Sequence, residues 1–131
     1  MFGNTLFVTS SGDGMVGKYD AKTGAAISVR FITGLNHPED LAVLGKALFV
    51  ANFTSNTVGK YDTQTGAAIN ANFITGLSAP QQLALLGNTL FVANSGAGTV
   101  GKYDATTGAA INTNFIMGLK FPFGMAVKSA K

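Results

Sequence analysis

An all-β array of repeated units is the fold class this sequence predicts, on three observations. The first is a period. Leu6-Phe7-Val8 returns as Leu48-Phe49-Val50 and again as Leu90-Phe91-Val92, at 48 − 6 = 42 and 90 − 48 = 42 residues. A fixed spacing of about 20–50 residues signals stacked supersecondary units. The second is that each period divides into four short apolar runs separated by turn residues, with no helical spacing over three turns. The third is that several runs are apolar on both faces. Leu48-Phe49-Val50-Ala51 and Leu41-Ala42-Val43-Leu44 do not alternate with polar residues, so each needs cover on two sides.

Each strand of the period has a local reason. Around the Leu90 copy the first runs from Gln82 to Leu86, follows Pro80 and ends at the tight-turn pair Gly87-Asn88. The second is Thr89 to Ala93. The third, Thr99 to Tyr103, follows a small-residue loop. The fourth, Ala109 to Ile116, follows the turn Asp104-Ala105-Thr106-Thr107-Gly108. Asp20, Asp62 and Asp104 can each accept a backbone N–H two residues on. Gly24, Gly66 and Gly108 supply the positive φ that closes the hairpin. Gly59, Ala67, Ala68 and their counterparts are small, which lets neighbouring layers approach. Four-stranded sheets covered on both faces and repeated at 42 residues describe a β-propeller with face-to-face blades. The 131 residues then form one three-blade segment, with repeats at about 6–47, 48–89 and 90–131.

A resemblance sharpens this reading. Gly34-Leu35-Asn36-His37-Pro38, Gly76-Leu77-Ser78-Ala79-Pro80 and Gly118-Leu119-Lys120-Phe121-Pro122 each precede a short apolar strand. The pattern, followed by a Leu-Phe-Val strand with Asn, resembles the NHL-type repeat of β-propellers. The family's Gly two residues after Pro is present only as Gly124; Asp40 and Gln82 stand there in the other copies. The near-identity of the copies also resembles fragment or sequence-symmetrised propellers made to study the fold. The resemblance implies that the Pro-led strand is innermost and the Ala-Ala-Ile strand outermost. The chain then opens with strands two to four of one blade, continues with two whole blades, and finishes with a lone inner strand, Phe123 to Val127.

Composition excludes several classes. A hydrophobic content of 47% is incompatible with a disordered tail. There are no cysteines, hence neither disulfides nor thiolate metal sites. No apolar run reaches the roughly 18 residues of a membrane helix. Met1 leads almost directly into the first repeat, so no leader is expected in these 131 residues, while relatives could still be secreted. The compartment stays open. Net charge is +3, and Lys18, Lys60 and Lys102 share one repeat position while the other basic residues are scattered. Nucleic-acid binders cluster charge with stacking aromatics, so this pattern disfavours them. The lysines read instead as solubilising groups near the periphery, their stems over apolar surface.

The chemistry-bearing residues are few. The loop before the inner strand and the loop between the second and third strands share one rim. There Asn36-His37-Pro38-Glu39-Asp40 holds the single His and the single adjacent acidic pair. The rim candidates for ligand binding are His37, Glu39, Asp40, Asn52, Gln81, Gln82 and Asn94. Glu39 and Asp40 are weak metal candidates; the resemblance brings in six-bladed lactonases and esterases with a channel metal, but those draw ligands from several blades. The bland reading of the loop is a solvated turn, and of Asn52 and Asn94, turn caps. No Gly-x-Ser-x-Gly elbow, Walker loop or dinucleotide fingerprint occurs. The expectation is a non-enzymatic propeller scaffold without a cofactor. A lactonase-like hydrolase and an RNA-binding rim are the alternatives.

Three blades fall short of the usual four to eight. Leu6, Phe7 and Val8 present an unpaired apolar edge, and Gly124, Met125, Ala126 and Val127 form an orphan strand. An edge of that kind recruits another chain, so the expected partner is a further copy. Two copies give six blades, and three give nine.

Overall fold

The computed structural model describes residues 4–130. Residues 1–3, before the first repeat, and Lys131, the last of the third, lie outside them. Eleven strands and no helix are present among the described residues. In chain order they are β1 (Thr5–Ser10), β2 (Met15–Asp20), β3 (Ala26–Ile32), β4 (Pro38–Leu44), β5 (Ala47–Asn52), β6 (Thr57–Asp62), β7 (Ala68–Ile74), β8 (Pro80–Leu86), β9 (Thr89–Asn94), β10 (Thr99–Asp104) and β11 (Ala110–Ile116). They form three antiparallel sheets, ordered β1-β2-β3, β4-β5-β6-β7 and β8-β9-β10-β11. The first sheet is a strand short on its β1 side.

The period-2 geometry of a strand places successive side chains on opposite faces, and here each face meets a different sheet. On β5, Leu48 and Val50 join Val16, Ile32 and Tyr61 in the core between the first and second sheets. Phe49 and Ala51 join Val58, Ile74, Leu77, Leu83, Leu90, Val92, Tyr103 and Ala105 between the second and third. All four β5 side chains are fully buried. The two-sided apolar pattern therefore has its cause in stacking, with one core per junction.

The turns are built locally. The Asp62 carboxylate accepts the N–H groups of Gln64 and Thr65 at 2.7 and 3.0 Å, two and three residues on. Gly66, at φ 75°, returns its N–H to the Asp62 carbonyl at 2.9 Å. Asp20 and Asp104 repeat the arrangement. In all three turns these backbone donors hold the carboxyl below the usual aspartate range, because they favour the charged form.

Two expectations are revised. The inner strands begin at Pro38 and Pro80 rather than after them, since a first-residue Pro lacks only an N–H the ladder does not need. Gly59 does not open space between layers; a Cβ there would lie 2.7 Å from the Tyr61 ring, which folds back over it. Gly17 and Gly101 make the same room for Tyr19 and Tyr103. Residues 122–130 form no strand within the single chain; the inner strand expected at Phe123 to Val127 is one that pairs with a further copy.

Candidate functional site

The rim predicted from sequence is assembled. Phe53 and Thr54, after β5, donate backbone N–H groups to the carbonyls of His37 and Asn36. Ser95 and Gly96, after β9, do the same to Ala79 and Ser78. His37, Ala79 and Phe121 occupy the same left-handed position, with φ of 54°, 52° and 48°. His37 Nε2 lies 2.7 Å from Glu39 Oε2, and its ring packs 5.6 Å from that of Phe53.

The candidate ligand residues do not converge. Glu39 turns to His37, while Asp40 points into the next blade. One oxygen of Asp40 accepts the Leu83 N–H at 2.7 Å and the Gln82 side-chain amide at 2.9 Å. Asp40 thus secures an edge N–H of the neighbouring inner strand. No group of three or more His, Asp or Glu residues fit to hold a metal occurs among the described residues. Gln81 sits in the bulge of the β8–β9 ladder. Asn52 and Asn94 are buried, each 4% exposed. Asn94 Oδ1 accepts the Ser78 N–H at 3.4 Å. Asn52 Nδ2 reaches Thr57 at 3.5 Å, and its Oδ1 has no partner. Both asparagines thus face the rim loops from beneath.

The structure also builds a repeated junction, which the sequence reading missed. Lys18 Nζ donates to the Thr63 carbonyl in the next blade at 3.3 Å. Lys60 donates to the carbonyls of Ala105 and Thr106. These lysines lie over the Phe31 and Phe73 rings, so they tie blades together as well as shielding apolar surface. Beside them the turn glycines approach backbone. A Cβ on Gly66 would meet the Phe31 carbonyl oxygen, and one on Gly108 the Phe73 carbonyl oxygen at 2.6 Å. The one sequence signal was the shared repeat position of Lys and Gly. Beside each linker is a polar recess. The larger, about 490 Å³, is lined by Leu77, Ser78, Asn94, Thr99, Tyr103 and Asn114 among others. The smaller, about 150 Å³, is its counterpart around Leu35, Asn52, Thr57, Tyr61 and Asn72. Burial pushes the Tyr61 and Tyr103 phenols up.

Neither a protein-family model nor a curated protein matches this chain. Solved structures do. The chain resembles the computationally designed Ika4 protein, with a TM-score of 0.73 at 16% identity, covering 98% of this chain and 77% of Ika4. It resembles BamB from Moraxella catarrhalis, with a TM-score of 0.62 at 24% identity over 86% of this chain and 34% of BamB. A third is XC5397 of Xanthomonas campestris, described as a gluconolactonase, with a TM-score of 0.61 at 17% identity over 76% of this chain and 34% of that one. The fold is a β-propeller. The chain spans about a third of the two natural propellers, and identities this low speak to the fold alone.

The residues expected at closure sit at the two ends of this propeller segment. Leu6 and Val8 are 51% and 44% exposed, whereas Phe7 packs inward beside Phe31. At the other end Met125, Ala126 and Val127 lie around an apolar hollow of about 260 Å³ with Ala84, Phe91, Val100, Phe115 and Ile116. Gly124 beside them has open space where a Cβ would go.

Proposed function

We propose that this chain is a non-enzymatic propeller scaffold of NHL-type repeats that completes its ring with blades from a second copy, giving six. One observation carries the reading. The first sheet lacks an inner strand, and the segment from Pro122 to Val127 has an inner-strand sequence with no sheet to join. Adding it to the β1 edge is strand addition. Bringing a half-exposed apolar side chain to full burial stabilises by roughly 1 kcal/mol. Leu6, Val8, Phe115, Ile116, Met117 and Val127 together contribute about 6 kcal/mol on that scale, inside the roughly 4–15 kcal/mol cost of association. Strand hydrogen bonds are therefore required as well. In a two-chain ring the second junction closes within an already formed complex, where effective concentration is high. That favours two chains over three.

The hydrolase reading draws no support from the rim, because Asp40 is already engaged with Leu83 and Gln82. The RNA reading is weakened by Lys18 and Lys60, whose ammonium groups are held by carbonyls and rings. Light scattering coupled to gel filtration tests the proposal. The expected mass is twice 13.4 kDa. Three times that value means nine blades. A mass of 13.4 kDa at micromolar concentration overturns the assembly.

A further inference from the structure

The two blade junctions inside the chain follow one rule, and the rule names its own third instance. Lys18 and Lys60 reach carbonyls 45 residues on, at Thr63 and Ala105. The carbonyls of Phe31 and Phe73 cover glycines 35 residues on, at Gly66 and Gly108. The remaining members of both series are Lys102 and Phe115 at one end, and Ala21 and Gly24 at the other. Lys102 lies over the Phe115 ring, 5.0 Å from its centroid, as Lys18 lies over Phe31, yet among the described residues it donates to no carbonyl. Gly24 has φ 76° like its counterparts but nothing within 4 Å of the place a Cβ would occupy. One end holds a donor and a carbonyl; the other holds the acceptor and the cleft.

We infer that the surface of the first blade around Ala21 and Gly24 is a docking face for the third blade of a second copy, in the same geometry as the internal junctions. Lys102 of one copy donates to the Ala21 carbonyl of the other, and the Phe115 carbonyl lies over Gly24. The register of the added strand follows from the ladders already present. Leu83 pairs with Val92 and Leu41 with Val50, so Met125 pairs with Val8, Ala126 with Phe7 and Val127 with Leu6. Gln82 is the repeat counterpart of Asp40, which takes the Leu83 N–H, so in the docked strand the Gln82 amide oxygen takes the Met125 N–H. This rests on the pairing of copies proposed above and adds to it one face, one direction and one register.

The absence of native cysteine makes the register directly testable. Chains carrying only Val8→Cys are mixed with chains carrying only Met125→Cys, equilibrated and oxidised, and separated on a non-reducing gel. The expected product is a covalent two-chain species. Val8→Cys with Ala126→Cys should give little, since a slip of one residue turns the side chain to the opposite face. A second measurement reads the docking face. Gly24→Ala should raise the dissociation constant of the two-chain species about tenfold or more. Gly34→Ala, with the same positive φ of 73° and equally open surroundings, should leave it within about twofold. A monomeric wild-type chain ends both this inference and the assembly reading. A two-chain species that cross-links equally at both positions, or is as indifferent to Gly24→Ala as to Gly34→Ala, ends the inference and leaves the assembly standing.

Discussion

The internal junctions and the open ends of this chain are made of nearly the same sequence and behave as different materials. Leu48 and Val50 are fully buried, whereas Leu6 and Val8, one period earlier, are half exposed. Ile32 and Ile74 are 5% and 4% exposed, whereas Ile116, at the equivalent place, is 44% exposed. Every residue of β11 is exposed, although its text closely follows that of β7. Strand identity is thus written in each repeat, but burial is conferred by the neighbouring blade. In a repeat array each unit contacts only its neighbours, and stability is a sum of units and interfaces. An end is a unit with one interface missing.

The sharpest way to break the comparison is to remove residues 123–131. If the tail closes a second copy, the truncated chain loses its defined mass and aggregates through the β1 edge. Unchanged mass and melting temperature would show that the two ends never meet. Next in size is a matched pair. Leu48→Ala should destabilise by about 2–5 kcal/mol in urea unfolding, as for a fully buried Leu. Leu6→Ala should cost under about 0.5 kcal/mol in an uncapped chain, and approach the Leu48 value when a partner covers the edge. A concentration dependence of the Leu6→Ala effect would therefore report capping.

Asp40→Ala follows, removing one acceptor that serves both the Leu83 N–H and Gln82. It should cost about 1–3 kcal/mol, with partial rescue by Asn. The Asp-to-backbone bonds inside the turns are the same at the ends and in the interior. Asp20, Asp62 and Asp104 all have folded pKa values lowered, chiefly by N–H groups of Thr23, Thr65 and Thr107 respectively. Their stabilisation is present above the ordinary aspartate value of about 3.9 and is lost as pH falls through the lower folded value. Acid titration of stability should lose this component on replacing any one Asp with Asn, with the Lys46 charge adding to the loss at Asp62 and the Asn88 amide at Asp104; a larger loss at Asp20 than at either would contradict it. The smallest expected effect is at the lysines. Lys60→Met should cost about 1 kcal/mol for its carbonyl contacts. Lys102→Met should match it only where a second copy supplies the Ala21 carbonyl.

Much of this architecture was legible in the chain. The 42-residue period, the Leu-Phe-Val strands, the Asp-to-Gly turns and the Pro-led strands depend on residues a few positions apart, so local chemistry specifies them. The rim was legible too, because its two loops belong to the same blade or its immediate link. The roles of side chains on that rim were not. Asp40 read as a possible metal ligand and is an inter-blade acceptor. Asn52 and Asn94 read as rim groups or as turn caps; both are buried, and Asn94 takes the backbone N–H of Ser78. Lys18 and Lys60 read as peripheral charge and are cross-blade donors.

The sequence by itself determined the number of units, the order of strands within each and the turns that join them, since hydrogen-bonded hairpins are settled within a dozen residues. Only the tertiary structure decided which face of each strand is core, which polar groups are spent on packing, and which stay unmet at the ends. Those outcomes depend on groups 35–46 residues away in sequence. Stacking one twisted sheet on the next brings them within hydrogen-bond distance, and no local pattern encodes that meeting.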